Sequence, residues 1–335
     1  MTENGASGAT KAAMRRALAL PSYPSQEAIN DSVFALIKSL RSQSGIELAI
    51  ATALWADVGA TVAPEFVHVC QETYEAAVRK LDLNQPSAAI VINEWVAEKT
   101  RGKILQIVTP EDIASSPAVI SNAVYFKGKF AIPFQKQATQ PRTFYLADRR
   151  EKREKLVPMM RQSGLLGSYR SGERFEAGVL HYSGSNTALY SLLPSKGVGP
   201  EEILTEESLQ ALPGVEESVA LDLSMPRFTI DFNTQLKESL TQMGMGLVFQ
   251  YPGADFSRLG SPLFFIGDVV HSTCLEVDEQ GTVAAAATSE MVMLGSAAVP
   301  QPRKIKTLIF DRPFAVLLRD TVTGATLFAG VIYEP

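Results

Sequence analysis

Histidine is scarce in this sequence: only His68, His181 and His271 occur, none at metal-ligand spacing from another His or Cys. Ser-His-Asp catalysis needs a histidine held by a carboxylate and touching a nucleophile, and no G-x-S-x-G elbow is present. The two glycines of MGMG (Met243–Gly246) are too short and misplaced a pattern for a dinucleotide loop. These absences argue against an enzyme and imply neither a metal nor a cofactor. Cysteine is also rare. Cys70 and Cys274 give no disulfide framework, and two buried free thiols are expected. No apolar run reaches the roughly 18 residues of a membrane-spanning helix. No secretory leader is visible, which leaves the compartment unknown between cytoplasmic and secreted. There is no basic stripe, and the net charge is −5 with a pI near 5.4, so nucleic acid is not an expected partner. The one dense charge run, Arg149–Lys155, is mixed in sign and reads as a solvated hairpin turn.

What is present is material for a substantial core. Hydrophobic residues make up 46% of the chain and charged residues 20%, ordinary for a globular protein. No internal repeat and no Pro/Gly/Ser-rich linker divides the 335 residues. Helical spacing is found over Ala12–Leu20 and Ser25–Leu40, the latter with Ile29, Val33, Phe34, Ile37 and Leu40 on one face. Ala63–Lys80 reads as a further amphipathic helix with Phe66, Val67, Cys70, Tyr74 and Val78 inward, and Pro86–Thr100 as another. Gly45–Trp55 and Ala118–Phe126 are rich in apolar residues on both faces, as buried central strands are. From Phe144 onward short strands punctuated by glycine dominate. Phe228–Met243 closes a strand and opens a helix with Leu236, Leu240 and Met243; Pro313–Leu318 and Ala325–Ile332 are the last strands. Helices first and antiparallel strands later suit an α+β fold in one domain.

The most unusual stretch is EVDEQGTVAAAA (Glu276–Ala287). An acidic strand end runs into Gly281 and Thr282, then one Val and four alanines. Alanine is the best helix former, so a helix turn or a linker are the plain alternatives. A segment that must lie inside a sheet needs the same composition, because small residues pass between strands without clashing. Gly281 can take backbone angles closed to other residues, which suits a hinge.

VDEQGTVAAAAT (Val277–Thr288), SNAVYFKGKFAIPF (Ser121–Phe134), LSMPRFTIDF (Leu223–Phe232), ADFSRL (Ala254–Leu259), VVHSTCLEVDEQG (Val269–Gly281) and DRPFAVLLRD (Asp311–Asp320) occur in an order that resembles the serpin family, from about Gly5 to the end. The resemblance implies one serpin domain over residues 1–335: a large central mixed β-sheet, two further sheets, a cluster of helices and an exposed reactive loop at about 280–304. It also implies a chain short at its N-terminus, in which the first helix, a short strand and most of the second helix of the family have no counterpart.

Function follows from the resemblance in the same way. An inhibitory serpin is a suicide substrate: a serine protease attacks the loop, and the freed part of the loop inserts in the central sheet and traps the acyl-enzyme. The hinge would be Glu279, Gly281, Thr282, Ala284, Ala285, Ala286, Ala287 and Thr288. Val283 replaces a usual acidic residue, at an outward position. Alternation in a strand puts Thr282, Ala284, Ala286, Thr288, Glu290, Val292 and Leu294 inward. Among these Glu290 is the misfit, because burying an unpaired carboxylate is costly; a bulge would shift the parity. Family spacing puts the reactive bond at Gly295–Ser296, with Leu294–Gly295 or Met293–Leu294 for shifts of one or two. No Arg or Lys lies between Glu279 and Pro302, which favours chymotrypsin-, elastase- or subtilisin-like targets over trypsin-like ones; papain-like cysteine proteases are a further class. By resemblance Asn122 and His271 are a polar pair under the central strands, Arg227 pairs with Glu279, and Phe130 stands where the family usually has Trp. All these residues would control opening of the sheet, and the protein would act as a monomer. Two other readings stay open: a non-inhibitory serpin-fold binder or chaperone, and an inactive, N-terminally truncated serpin.

Overall fold

A computed structural model describes residues 1–20, 25–146, 153–212, 219–260, 264–282 and 304–335. The helices are α1 (Gly8–Ala17), α2 (Gln26–Arg41), α3 (Pro64–Tyr74), α4 (Pro86–Lys99), α5 (Pro110–Ile113), α6 (Glu206–Ala211) and α7 (Lys237–Leu240). The strands are β1 (Ile46–Asp57), β2 (Ala77–Leu81), β3 (Ala118–Lys129), β4 (Gln140–Tyr145), β5 (Glu154–Leu166), β6 (Tyr169–Ser171), β7 (Phe175–His181), β8 (Thr187–Pro194), β9 (Val219–Pro226), β10 (Phe228–Gln235), β11 (Asp268–Asp278), β12 (Gly281–Thr282), β13 (Lys304–Ile309), β14 (Phe314–Asp320) and β15 (Thr326–Ile332). They form a six-stranded sheet in the order β10-β11-β12-β3-β1-β2, a four-stranded sheet β13-β9-β5-β4 and a five-stranded sheet β15-β14-β8-β7-β6. The chain divides into two compact units: residues 1–42, 48–126 and 231–274, and residues 43–47, 127–230 and 275–335.

In the first unit the helices begin where local chemistry starts them. Ser25 caps α2 by accepting the Ala28 amide at 3.1 Å. Pro64 and Pro86 open α3 and α4, where a missing N–H costs nothing. Thr109 and Asp112 form a capping box on α5. Asn93 of α4 fastens the segment after that helix: its amide oxygen accepts the Ile107 and Val108 amides at 2.8 and 3.1 Å.

The sheet in this unit is covered on both faces. One face packs Ala51, Ala53, Trp55, Val119, Ala123, Val270 and Cys274 against Ala88, Ile92 and Trp95 of α4. The opposite face carries Leu54, Ala56, Ala118 and Ile120 into a cluster with Met14, Phe66, Cys70 and Phe249. Both cysteines are buried and neither forms a disulfide, and burial pushes the Cys70 thiol up to about 12.

Three expectations are corrected here. Ala63–Lys80 is not one helix: α3 stops at Tyr74, Glu75 turns left-handed at φ 49, and Ala77–Leu81 becomes β2, parallel to β1. Its Val78 therefore lies on a strand. The apolar face expected for α2 is not buried as a whole: Leu40 is buried, whereas Phe34 is 43% exposed under the Lys38 ammonium. The helix after β10 is regular only over Lys237–Leu240 and runs on as a π-turn over Thr241–Met245, in which Met243 is exposed rather than packed with Leu240.

The second unit holds the two smaller sheets. All of β8 is buried between β7 and β14. Phe314 gathers Phe310, Phe228 and Phe144 edge-on at 5.0, 5.8 and 6.5 Å between ring centres, geometry that aromatic quadrupoles favour. The mixed-sign run joins β4 and β5, whose antiparallel register starts at Tyr145 opposite Glu154; residues 147–152 lie outside the described part.

Candidate functional site

The site is built where β11 ends. Its acidic terminus folds back on itself: the Asp278 carboxylate accepts the Gln280 amide at 2.8 Å, and Gly281 follows at φ +136. A Cβ at Gly281 would stand 2.2 Å from the Gly128 carbonyl oxygen, so no other residue fits without displacing backbone. The chain then runs back as β12, antiparallel to both neighbours. Gly281 and Thr282 face Asp278 and Val277 of β11 on one side and Lys129 and Gly128 of β3 on the other.

Further along the same two strands, in the first unit, nothing separates them. β11 and β3 pair directly and in parallel from Asp268 opposite Val119 to Cys274 opposite Tyr125. There the two strands form a closed seam.

Two side-chain clamps hold this reversal in the second unit. Before it, the Glu279 carboxylate is 1% exposed and accepts hydrogen bonds from Arg227 (Nε at 2.9 Å, and a second, shorter one from Nη2) and from Thr139 Oγ1 at 2.6 Å. Burial works against the charge, but the Arg227 and Thr139 bonds outweigh it and hold the carboxyl below its ordinary range. After it, Thr282 is fully buried, with its hydroxyl 2.7 Å from that of Tyr182. Backbone bonds add to this: the Phe130 amide donates to Gln280 O at 2.9 Å and the Phe134 amide to Glu279 O at 2.8 Å. Phe130 is buried, and its ring lies 5.1 Å from Tyr182 and 6.1 Å from Phe134.

In the first unit, Asn122 and His271 stand opposite each other on β3 and β11, with Asn122 Oδ1 2.9 Å from His271 Nδ1. The Asn122 amide nitrogen donates to Thr52 Oγ1 of β1 at 2.8 Å. Burial holds the His271 ring below its ordinary pKa, and the bond to Asn122 opposes that.

The structure therefore brings together Glu279 with Arg227, Gly281 and Thr282 with β3, and Asn122 with His271. The residues expected to continue the hinge, Ala284, Ala285, Ala286, Ala287 and Thr288, the expected misfit Glu290 and the residues expected around the reactive bond, Leu294, Gly295 and Ser296, lie outside the described residues. Sequence reasoning missed Thr139, Tyr182 and Thr52. Each is a hydroxyl on or beside a strand, and no local pattern marks its partner. Among the described residues no group of three or more His, Cys, Asp or Glu side chains could hold a metal ion, and no helix is long and apolar enough to cross a membrane.

These features define a mixed α+β fold of three sheets, in which the two-residue strand β12 follows β11. The family model described as "Serpin (serine protease inhibitor)" matches residues 1–335, and the chain belongs to the serpin family. Iripin-8 of Ixodes ricinus is 30% identical over 322 residues, covering 92% of this chain and 79% of that protein. Antichymotrypsin-2 of Bombyx mori is 29% identical, covering 93% and 83%. Among solved structures, the thermophilic serpin tengpin in the native state aligns over all of this chain and 85% of its own, with a TM-score of 0.86 at 26% identity.

Proposed function

We propose that the whole chain acts as one inhibitory domain against serine proteases, as a suicide substrate. The observation that carries this reading is the short strand β12. Gly281 and Thr282 already stand between β11 and β3, antiparallel to both, and the next residues are small. Strand alternation and an unchanged register would carry the same chain onward down the seam. An inserted Thr288 would then stand between Asn122 and His271, and Glu290 between Ile120 and Val269.

In the chemical step the protease serine oxygen attacks the carbonyl carbon of the reactive bond, Gly295–Ser296 or one or two residues earlier. A tetrahedral intermediate collapses to an ester, and the amine leaves as the new N-terminus of the following segment. Water would next hydrolyse the ester and release the protease. Insertion competes with that hydrolysis, because it adds a hydrogen-bonded strand to the sheet and carries the bound protease with it. No Arg or Lys lies between Glu279 and Pro302, so chymotrypsin-, elastase- and subtilisin-like enzymes are the targets this reading supports, with papain-like cysteine proteases as a further class.

Incubation with a panel of such proteases, read on a denaturing gel, tests it. A covalent complex of protease and chain is the expected result. Cleaved chain alone, with protease activity fully retained across the panel, would overturn the reading.

A further inference from the structure

A two-residue strand cannot hold itself in place: Gly281 and Thr282 pair with β3 and β11 at only two positions each. Side chains must decide whether the hinge root stays in the seam. The clamp on Glu279 fixes the residues before Gly281. On the far side the side-chain tie is the hydroxyl pair of Thr282 and Tyr182.

Tyr182 is well placed for this. It directly follows β7, and its amide donates to Thr187 O at 3.0 Å. It also forms a bridge to Phe130, while the neighbouring Ser183 amide donates to Lys129 O at 2.8 Å. The ring lies against Phe130, so the phenol cannot swing away without breaking an aromatic contact. A separation of 2.7 Å is the commonest value for O–H···O bonds. Burial raises the phenol's pKa further, so it keeps its proton, and either hydroxyl can donate.

We propose that Tyr182 is a positioning residue that keeps Thr282 seated in the seam before a protease arrives. The inference rests on the inhibitory reading above. In an inserted loop of unchanged register Thr282 keeps its place between Gly128 and Val277, so the bond does not oppose insertion. It completes the first step in advance. Without it the root leaves the seam, and insertion must first re-seat Thr282 while water attacks the ester.

The test compares Tyr182→Phe, Thr282→Val, the double variant and Thr282→Ser. Tyr182→Phe keeps the ring and removes one oxygen; Thr282→Val keeps the volume. For each, the ratio of cleaved to trapped inhibitor is measured together with the rate constant of the initial attack. Each single change is expected to raise the ratio about three- to tenfold, the span of one neutral hydrogen bond, with the attack rate unchanged. The double variant should be no worse than the worse single one, and Thr282→Ser should recover trapping relative to Thr282→Val. A role confined to stability would lower the melting temperature and leave the ratio alone. An unchanged ratio in Tyr182→Phe, or fully additive singles, overturns the proposal. If the unmutated chain traps no protease, the inhibitory reading has failed instead. Hydrogen exchange then decides the latch by itself: the peptide containing Gly281 and Thr282 should exchange faster in Tyr182→Phe, and equal protection would overturn it.

Discussion

Asn122 and His271 meet across the closed seam of β3 and β11, Oδ1 to Nδ1 at 2.9 Å, at the register position an inserted Thr288 would reach. A parallel ladder of seven residue pairs, Asp268–Cys274 with Val119–Tyr125, must open for a strand to enter there.

Acid should weaken the fold through His271, which is partly buried, and His181. Burial lowers the pKa of His271 and of His181, the latter with help from Arg170, below the ordinary value of 6.5. The unfolded chain then binds more protons than the folded one between those values. Stability is complete above about pH 6.5 and falls as pH drops through the lower folded-state values. The melting temperature should decline by a few degrees from pH 7.5 to pH 5.5. A His271→Asn, His181→Asn double variant should flatten that decline; an equally steep curve would exclude these two groups as its source.

Arg227→Leu should destabilise the hinge. It removes two charge-assisted hydrogen bonds from a buried carboxylate, each worth about 1.5–3 kcal/mol in a closed site. The Arg227 side chain is 44% exposed, so the total should fall toward the low end of that range. The depressed carboxyl of Glu279 contributes stability above its unfolded pKa, near 4.5, and loses it as pH falls through the folded value. Without Arg227 the carboxyl loses the bonds that depress it, so this acid-dependent loss should shrink. Urea unfolding at pH 7 and about pH 3.5 would show a smaller pH-dependent difference in the variant than in the parent chain.

Thr282→Arg should turn the chain into a substrate. Thr282 has no exposed surface and sits between the backbones of Val277 and Gly128. A guanidinium there carries a buried-charge penalty that the seam cannot meet. The loop should still be cut, but trapping should fall more than tenfold. An unchanged yield of covalent complex would show that the hinge does not begin at Thr282.

Glu290→Val should improve trapping. The register continued from Thr282 sets an inserted Glu290 against Ile120 and Val269, both packed in an apolar cluster. An unpartnered carboxyl there costs on the order of a few kcal/mol even when protonated. Each ~1.4 kcal/mol removed from the barrier speeds insertion about tenfold against an unchanged deacylation. The number of inhibitor molecules consumed per protease inactivated should drop, most at high pH where the carboxylate is charged. A higher number would mean that Glu290 aids insertion.

The chain reversal at Gly281 is legible from residue size alone. Gly281 is marked by its position between an acidic strand end and a run of small residues, and the Gly128 carbonyl at its back shows why only glycine serves. The starts of α2 and α4 are equally local, because Ser25 and Pro86 act within one turn. The order of motifs along the chain carries the family. Ala77–Leu81 is different: its residues suit the continuation of a helix, and it is a strand because β1 offers a parallel edge more than 20 positions earlier in the chain. Tyr182 and Thr139 reach the hinge from 100 and 140 positions away. Propensity and capping act over a few residues, so the sequence by itself determined where the chain reverses and which side chains are small enough to enter a sheet. Which hydroxyls and charges hold that reversal in place was decided only when the chain returned on itself, since a hydrogen bond needs its partner within about 3 Å and no local pattern encodes that distance.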